Sequence, residues 1–108
     1  MPSAVRPPTA ELAAEFALLS DPLRLQIVLA LTEEQLCTCH LVDLTGAKQT
    51  TISHHLRQLR DAGVIVGEAE GRFTWYRLTS GAFAATLGAL VGLAAVEGAP
   101  RLRPACAD

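Results

Sequence analysis

The stretch TCHLVDLTGAKQTTISHHLRQLRDA, residues 38–62, decides the fold of this chain. Its first part predicts a short helix over 38–45 with three residues turned inward: Leu41, Val42 and Leu44. Gly46 follows and suits the left-handed position after a helix end. The second part predicts a helix over 48–62, ended by Gly63, with three apolar residues on one face: Ile52, Leu56 and Leu59. Two helices joined by a short turn that contains glycine indicate a helix-turn-helix, whose second helix reads the DNA major groove.

Upstream of this unit the sequence predicts two more helices. Residues 9–19 place Leu12, Phe16 and Leu19 at helical spacing, with Thr9 as a candidate N-cap. A second helix begins at Ser20-Asp21-Pro22, a cap residue followed by proline in the first turn. This helix is apolar nearly all round and ends near 32–35, which indicates a place in the core or at a subunit interface.

Downstream the sequence predicts a wing and a terminal helix. Two β-branched and aromatic runs, 64–66 and 73–76, flank a turn and are typical of a β-hairpin. Ser80 is the expected cap of a last helix over about 81–96. This helix is so poor in charge that it would be exposed in a monomer, so we expect it to pair with its copy and the first helix of a second subunit.

The expected fold class is therefore mostly α with a β-hairpin wing, a winged helix-turn-helix that is dimeric through its terminal helices. We expect an N-terminal extension (1–8), a DNA-binding and dimerisation domain (9–97) and a C-terminal tail (98–108). The 108 residues fit one domain, and a hydrophobic share of 50% with 19% charged residues excludes a disordered chain. No apolar run approaches about 18 residues, and the N-terminus has no features of an export signal, so we expect a cytoplasmic protein without a membrane partner.

The charge is unevenly distributed along the chain. The net charge is −2, yet residues 1–47 carry 2 − 6 = −4, whereas residues 48–77 carry 5 − 3 = +2. Positive charge is thus concentrated where the helix-turn-helix meets DNA.

The second helix of this unit supplies the candidate DNA-reading residues. Four polar side chains near its N-terminus are expected to reach base edges and phosphates: Gln49, Thr50, Ser53 and His54. Four cations complete the candidate surface, three of them as expected phosphate contacts: Lys48, and Arg57, Arg60 and Arg72. A merely solvated polar face is the alternative, and a metal site at His54 and His55 is disfavoured because neighbours on a helix point about 100° apart.

The motifs, taken in order, resemble the ArsR/SmtB family of bacterial metal-responsive repressors over roughly residues 10–96. Four segments carry the resemblance: LSDPLRLQI (19–27), QLCTCHL (35–41), QTTISHHLRQL (49–59) and GRFTWYRL (71–78). The resemblance implies a homodimer that occupies a palindromic operator in double-stranded DNA and dissociates when a toxic ion binds.

Cys37-Thr-Cys39 is similar to the Cys-X-Cys signature of the arsenic-sensing branch. This similarity implies arsenite or antimonite as the inducer, with no cofactor needed for DNA binding, because soft thiolates suit thiophilic ions. Residues two apart on a regular helix point about 200° apart, so we expect both thiolates to hold one ion only if the first turn distorts. That distortion is the expected switch.

Arsenite binds three sulfur atoms, and the cysteine pair supplies only two of them. Val42 stands where some members of the family carry a third cysteine, so Cys106 in the tail is the candidate, in its own subunit or the other. Cys106 is alternatively a thiol that binds nothing. Cys37 and Cys39 are alternatively a pair of buried apolar residues. His40 is an alternative third ligand of the ion.

Other signals and other activities are less well supported. The last helix lacks Asp, Glu, His and Cys, which disfavours the zinc site of the related branch, and no cysteine precedes Cys37, as cadmium and lead sensors usually require. A cadmium- or lead-responsive repressor and a thiol-redox repressor remain alternatives. A small thiol oxidoreductase is disfavoured because the chain has neither a Cys-X-X-Cys motif nor a phosphate-binding loop, so we expect no enzyme.

Overall fold

The computed structural model describes residues 9–98 and 100–106, so the expected extension 1–8 lies outside the described residues. Five helices and one hairpin follow in the order α1 (Thr9–Ser20), α2 (Pro22–Leu31), α3 (Thr38–Thr45), α4 (Gln49–Asp61), β1 (Ile65–Glu70), β2 (Phe73–Leu78) and α5 (Ala84–Ala95). The predicted winged helix-turn-helix architecture, mostly helical with a β-hairpin, is confirmed.

The predicted local chemistry is present at the start of α2 and at the ends of α3 and α4, whereas Thr9, the candidate N-cap, is the first residue of α1 itself. Asp21 caps α2 by accepting a hydrogen bond from the Arg24 backbone N–H at 3.0 Å, with Pro22 in the first turn. Gly46 closes α3 at φ 74°, and Gly63 follows α4 at φ 79°, a region that favours glycine. The chain therefore turns sharply between α3 and α4 and again before the hairpin.

The core lies where α2, α3, α4 and the start of β1 meet. Its most deeply buried apolar side chains are Ile27, Leu41, Ile52, Leu56, Leu59 and Ile65. Three of them are the residues predicted to share the inner face of α4, which confirms that face. Burial of this stripe fixes the rotation of α4 and leaves its polar face outward.

The hairpin is antiparallel, from Ile65 paired with Leu78 to Glu70 paired with Phe73, around the turn at Gly71-Arg72. β1 runs further than predicted, because residues 68–70 belong to the strand rather than to the turn. Leu36, just before α3, joins the outer side of β2 through a single bridge to Tyr76.

Two expectations about the chain are wrong, one on packing and one on a helix end. Leu44 is 59% exposed rather than inward, since α3 turns only Leu41 fully into the core. Ser80 does not cap the last helix, which begins at Ala84 after a turn in which Phe83 adopts φ 61°.

The terminal helix α5 projects from the core. It is tied to α1 by the hydroxyl of buried Thr86, which donates to the Glu15 carboxylate. Most of its large apolar side chains remain exposed: Leu87, Leu90, Val91 and Leu93. The radius of gyration is 18.5 Å, against about 13 Å for a compact chain of this length, as a projecting helix and tail require.

Candidate DNA-binding surface and cysteine site

One groove on the outer face of α4 collects most of the residues predicted to read DNA. Its lining consists of Gln49, Thr50, Ser53, His54 and Arg57. All five are exposed, while the opposite face of the same helix is buried. The helix thus presents hydrogen-bonding groups and one guanidinium outward on a rigid support.

The other three predicted residues lie outside this groove. Lys48 is the exposed N-cap of α4, and Arg60 lies in its last turn. Arg72 is exposed in the turn of the hairpin, next to Gly71. Arg77, which the charge count included, is held by Glu68 at 3.0 Å on the neighbouring strand.

His54 and His55 have separate environments although they are neighbours. His54 lines the outer groove, whereas the His55 side chain is 12% exposed and faces α2. The Nε2 atom of His55 lies 3.7 Å from the Asp21 carboxylate, and its Nδ1 atom lies 3.2 Å from Arg24 Nη1. The expectation that the two histidines do not share one ion agrees with this divergence.

Arg24 is a positioning residue that the sequence reasoning missed. Its guanidinium donates to the carbonyls of Leu18 (2.9 Å) and Ala17 (3.2 Å) on α1 and to Gln58 Oε1 (2.9 Å) on α4. One side chain therefore joins α1, α2 and α4 and fixes the recognition helix from behind. The available signal was an arginine inside a helix that is otherwise apolar nearly all round.

The cysteine pair lies at the start of α3. Cys37 is the N-cap, with an extended backbone at φ −89° and ψ 166°, and only Cys39 belongs to the helix. Because Cys37 precedes the helix, the 200° separation of two residues on a regular helix does not describe this pair. Both instead line one cavity of about 190 Å³ together with His40, Phe73 and Trp75.

The two thiols differ in their surroundings. Cys37 is buried and Cys39 is exposed. Burial raises the pKa of the Cys37 thiol, and negative charge at Cys39 and Glu70 raises it further. Cys37 is thus held as a neutral thiol at neutral pH, which disfavours a reactive redox cysteine.

The third candidate ligand does not lie with this pair. Cys106 is exposed in the tail. Within residues 9–98 and 100–106, no cluster of three or more histidine, cysteine or acidic residues has the arrangement of a metal site. His40 lines the cavity, but its Nδ1 atom accepts a hydrogen bond from the Cys37 backbone N–H at 2.9 Å.

Known proteins are similar to this chain in sequence and in fold. Residues 21–66 match the family model described as bacterial regulatory protein, arsR family. The homodimeric winged helix-turn-helix DNA-binding domain of a Mycobacterium bovis protein is 30% identical, with a TM-score of 0.63 over 80% of this chain and 79% of that one. The chain belongs to the ArsR family. This membership places it among transcriptional regulators rather than enzymes, which confirms that expectation.

Two curated relatives of this ArsR-family chain are repressors by name. The repressor SmtB of Mycobacterium tuberculosis is 47% identical over 60 residues, 56% of this chain and 44% of that protein. The arsenical resistance operon repressor of Escherichia coli is 40% identical over 65 residues, 59% of this chain and 56% of that one. The matched segment thus spans about half the length of these relatives.

Across the described part of the chain, no helix combines the length and the apolar character that crossing a membrane requires.

Proposed function

We propose that this protein is a homodimeric transcriptional repressor that binds a palindromic operator and is released when arsenite or antimonite binds its cysteine thiols. The observation that carries the DNA-binding part is the exposed groove on α4, lined by five polar or cationic side chains opposite the buried apolar stripe of the same helix. Such a helix offers Gln, Ser, Thr and His to base edges and arginine to phosphates.

The wing and the N-cap extend this surface. Lys48 at the start of α4 and Arg72 at the tip of the hairpin supply separate cations, which suit phosphates on either side of a groove. A symmetric dimer presents two such helices to the two halves of a palindrome. The exposed apolar face of α5 supports that dimer, since a second copy would remove it from water.

The inducer part rests on Cys37 and Cys39. They line one cavity at the start of α3, and α3 packs directly against α4. An ion held by both thiols changes the conformation of the N-cap and first turn of α3. Because α3 packs against α4, this change also shifts the position of the recognition helix. Cys106 is the proposed third sulfur for arsenite, reached by movement of the tail or from the other subunit.

The DNA-binding part is tested by selecting duplexes from a random pool with the reduced protein and measuring affinity by fluorescence anisotropy at several salt concentrations. We expect a palindromic consensus, nanomolar affinity and a steep salt dependence. The double variant Ser53→Ala, His54→Ala should lose at least about a hundredfold in affinity while keeping its unfolding midpoint.

A matched control is Gln26→Ala, which removes an exposed polar side chain from α2 and should bind as the wild type does. Arg57→Ala should weaken binding to all duplexes alike and lower the salt slope by about 1. Equal affinity for the selected and unrelated duplexes, or full binding by the double variant, would overturn the assignment of α4 as the reading helix.

A further inference from the structure

The surface between α3 and the wing carries a second groove, beside the cysteine cavity. Its volume is about 320 Å³, and it is lined by Glu34, Leu36, His40, Asp43, Leu44 and Trp75. We call this surface the acidic groove. It contains neither thiol and none of the residues that line the outer groove of α4. Neither DNA reading nor the cysteine pair therefore accounts for it.

The acidic groove combines apolar side chains with unpaired carboxylates. Leu36 is buried, Trp75 is half-buried, and Leu44 is 59% exposed. Glu34 and Asp43 are exposed, and within the described part of the chain neither belongs to an ion pair. Exposed apolar surface edged by free anions favours a ligand that is apolar in the middle and cationic on both sides. The same anions repel DNA.

The C-terminal tail has the matching composition. Leu102 is 86% exposed and lies between Arg101 and Arg103, neither of which is in an ion pair among the residues that the structure describes. Pro100 and Pro104 flank these three residues and favour extended backbone. In an extended chain of the polyproline type, successive side chains point about 120° apart. Leu102 can therefore enter a groove while the two arginines reach its two sides.

The tail of the same chain does not occupy the acidic groove. All its described residues, 100–106, are exposed. The tail follows α5, which packs on α1, and the chain measures 65 Å in its longest direction against 27 and 23 Å in the others. A tail that projects from its own core, behind a helix that pairs with its copy, passes over the second subunit. The dimer also holds this tail at high effective concentration, so weak contacts suffice.

Resting on the proposed homodimer, we infer that the acidic groove of each subunit binds the tail segment 100–104 of the other subunit. Leu102 then packs against Leu44 and Trp75, and the two flanking arginines lie beside the unpaired carboxylates. Because the dimer is symmetric, two such contacts form. Each joins the tail of one subunit to α3 and the wing of the other. Docking also carries Cys106, two residues beyond the segment, to the neighbouring cysteine cavity, which shares Trp75 with the groove.

The test uses the full-length reduced protein without metal and the fluorescence of Trp75, the single tryptophan. A docked tail shields this side chain from acrylamide. Quenching of the double variant Arg101→Glu, Arg103→Glu should be about twofold more efficient than quenching of the wild-type dimer, since weak contacts fill the groove only partly. Leu102→Ser should act in the same direction. The shielding should fade between about 0.05 and 0.5 M salt, because exposed ion pairs are screened.

A charge exchange separates docking from a general effect of charge. The double variant Glu34→Lys, Asp43→Lys should lose the shielding, and combining it with the two arginine-to-glutamate changes should restore at least about half of it. Asp61→Lys, exposed at the end of α4, is the control and should be quenched as the wild type is. Circular dichroism verifies that the variants fold. No recovery in the combined variant would overturn the pairing of tail and groove.

Leu87→Glu, designed to weaken the dimer, distinguishes the tail of the second subunit from the chain's own tail. The shielding should vanish wherever sedimentation equilibrium shows this variant to be monomeric. Shielding that persists in the monomer would assign the groove to the chain's own tail and overturn the inference.

Failure of the docking differs from failure of the proposed function. A wild-type dimer that binds the operator, but whose Trp75 is quenched as in the Arg101→Glu, Arg103→Glu variant, keeps the repressor and overturns the docking. A wild type that stays monomeric overturns the proposed dimer, and the docking with it.

Discussion

Leu36 and Tyr76 are joined by backbone hydrogen bonds in both directions. The Leu36 N–H donates to the Tyr76 carbonyl at 3.2 Å, and the Tyr76 N–H donates to the Leu36 carbonyl at 2.9 Å. Leu36 precedes Cys37, and Tyr76 follows Trp75, so this bridge joins the two walls of the cysteine cavity. Movement of Cys37 toward a ligand therefore strains a contact between the start of α3 and the wing.

This bridge predicts where ligand binding becomes visible in hydrogen exchange. We expect the amides of Leu36 and Tyr76 to be protected in the free protein and to change their exchange rate when arsenite binds. Amides in the middle of α2, such as Val28, serve as the internal reference. Cys37→Ser should remove the ligand effect, and an unchanged rate at both bridge amides in the wild type would contradict the proposed coupling.

Arg24→Ala should destabilise the protein and weaken DNA binding together. The variant loses hydrogen bonds to α1 and to Gln58 on α4 and leaves the ring of His55 without its arginine neighbour. We expect a loss of about 1–3 kcal/mol in the free energy of unfolding, measured by urea denaturation.

Arg57→Ala is the matched control for that substitution, because Arg57 is an exposed arginine of the outer groove. Its unfolding free energy should stay within about 0.5 kcal/mol of the wild type. Equal stability of the Arg24 and Arg57 variants would show that the guanidinium of Arg24 does not hold the helices together.

Asp21 predicts a pH dependence of stability. The hydrogen bond from the Arg24 N–H, and less strongly the charges of His55 and Arg24, hold the pKa of Asp21 below its ordinary value of 3.8, although burial opposes them. Because the folded pKa is depressed, this stabilisation is complete above pH 3.8 and is lost as the pH falls through the folded pKa.

The variant Asp21→Asn tests whether the charge of Asp21 stabilises the fold, since asparagine still caps a helix but carries no charge. The urea midpoint of the wild type should exceed that of the variant at pH 7, and the difference should shrink as the pH falls to roughly 3. A difference in urea midpoint that stays constant over this pH range would show that the ionisation of Asp21 does not cause the difference in stability.

Leu87→Glu should weaken the dimer. Leu87 is 61% exposed on α5 and belongs to the apolar face that a second copy is proposed to cover. Because a symmetric interface places the change twice, we expect the dimer dissociation constant to rise at least about a hundredfold in sedimentation equilibrium. Thr50→Glu, on the outer groove of α4, is the control and should leave the constant unchanged. Identical dimer dissociation constants for wild type and Leu87→Glu would show that Leu87 of α5 does not lie in the interface.

Local rules predicted the helix-turn-helix well. The buried stripe of α4, the cap at Asp21 and the turn at Gly46 each depend on residues close in sequence, so periodicity and cap chemistry find them. The groove on the outer face of α4 follows from the same periodicity, because burying one face sends the other to the surface.

Features that depend on contacts between residues distant in the sequence could not be predicted from local patterns. Arg24 meets His55 and Gln58 across 31 and 34 positions, and no local pattern encodes that contact. The aromatic residues of the cysteine cavity, Phe73 and Trp75, come from β2, which the Leu36 bridge holds beside the start of α3. The start of α5 was misplaced because Ser80 has cap chemistry, while the chain turns once more before Ala84.

The most direct test of the central claim is release of the selected operator by arsenite, followed by anisotropy, for wild type, Cys37→Ser and Cys39→Ser at equal occupancy of DNA. The account predicts that arsenite dissociates the wild-type complex and that both variants bind DNA normally but stay bound in arsenite. Release of Cys37→Ser at the same arsenite concentration as the wild type would contradict it, because the signal would then enter the protein elsewhere.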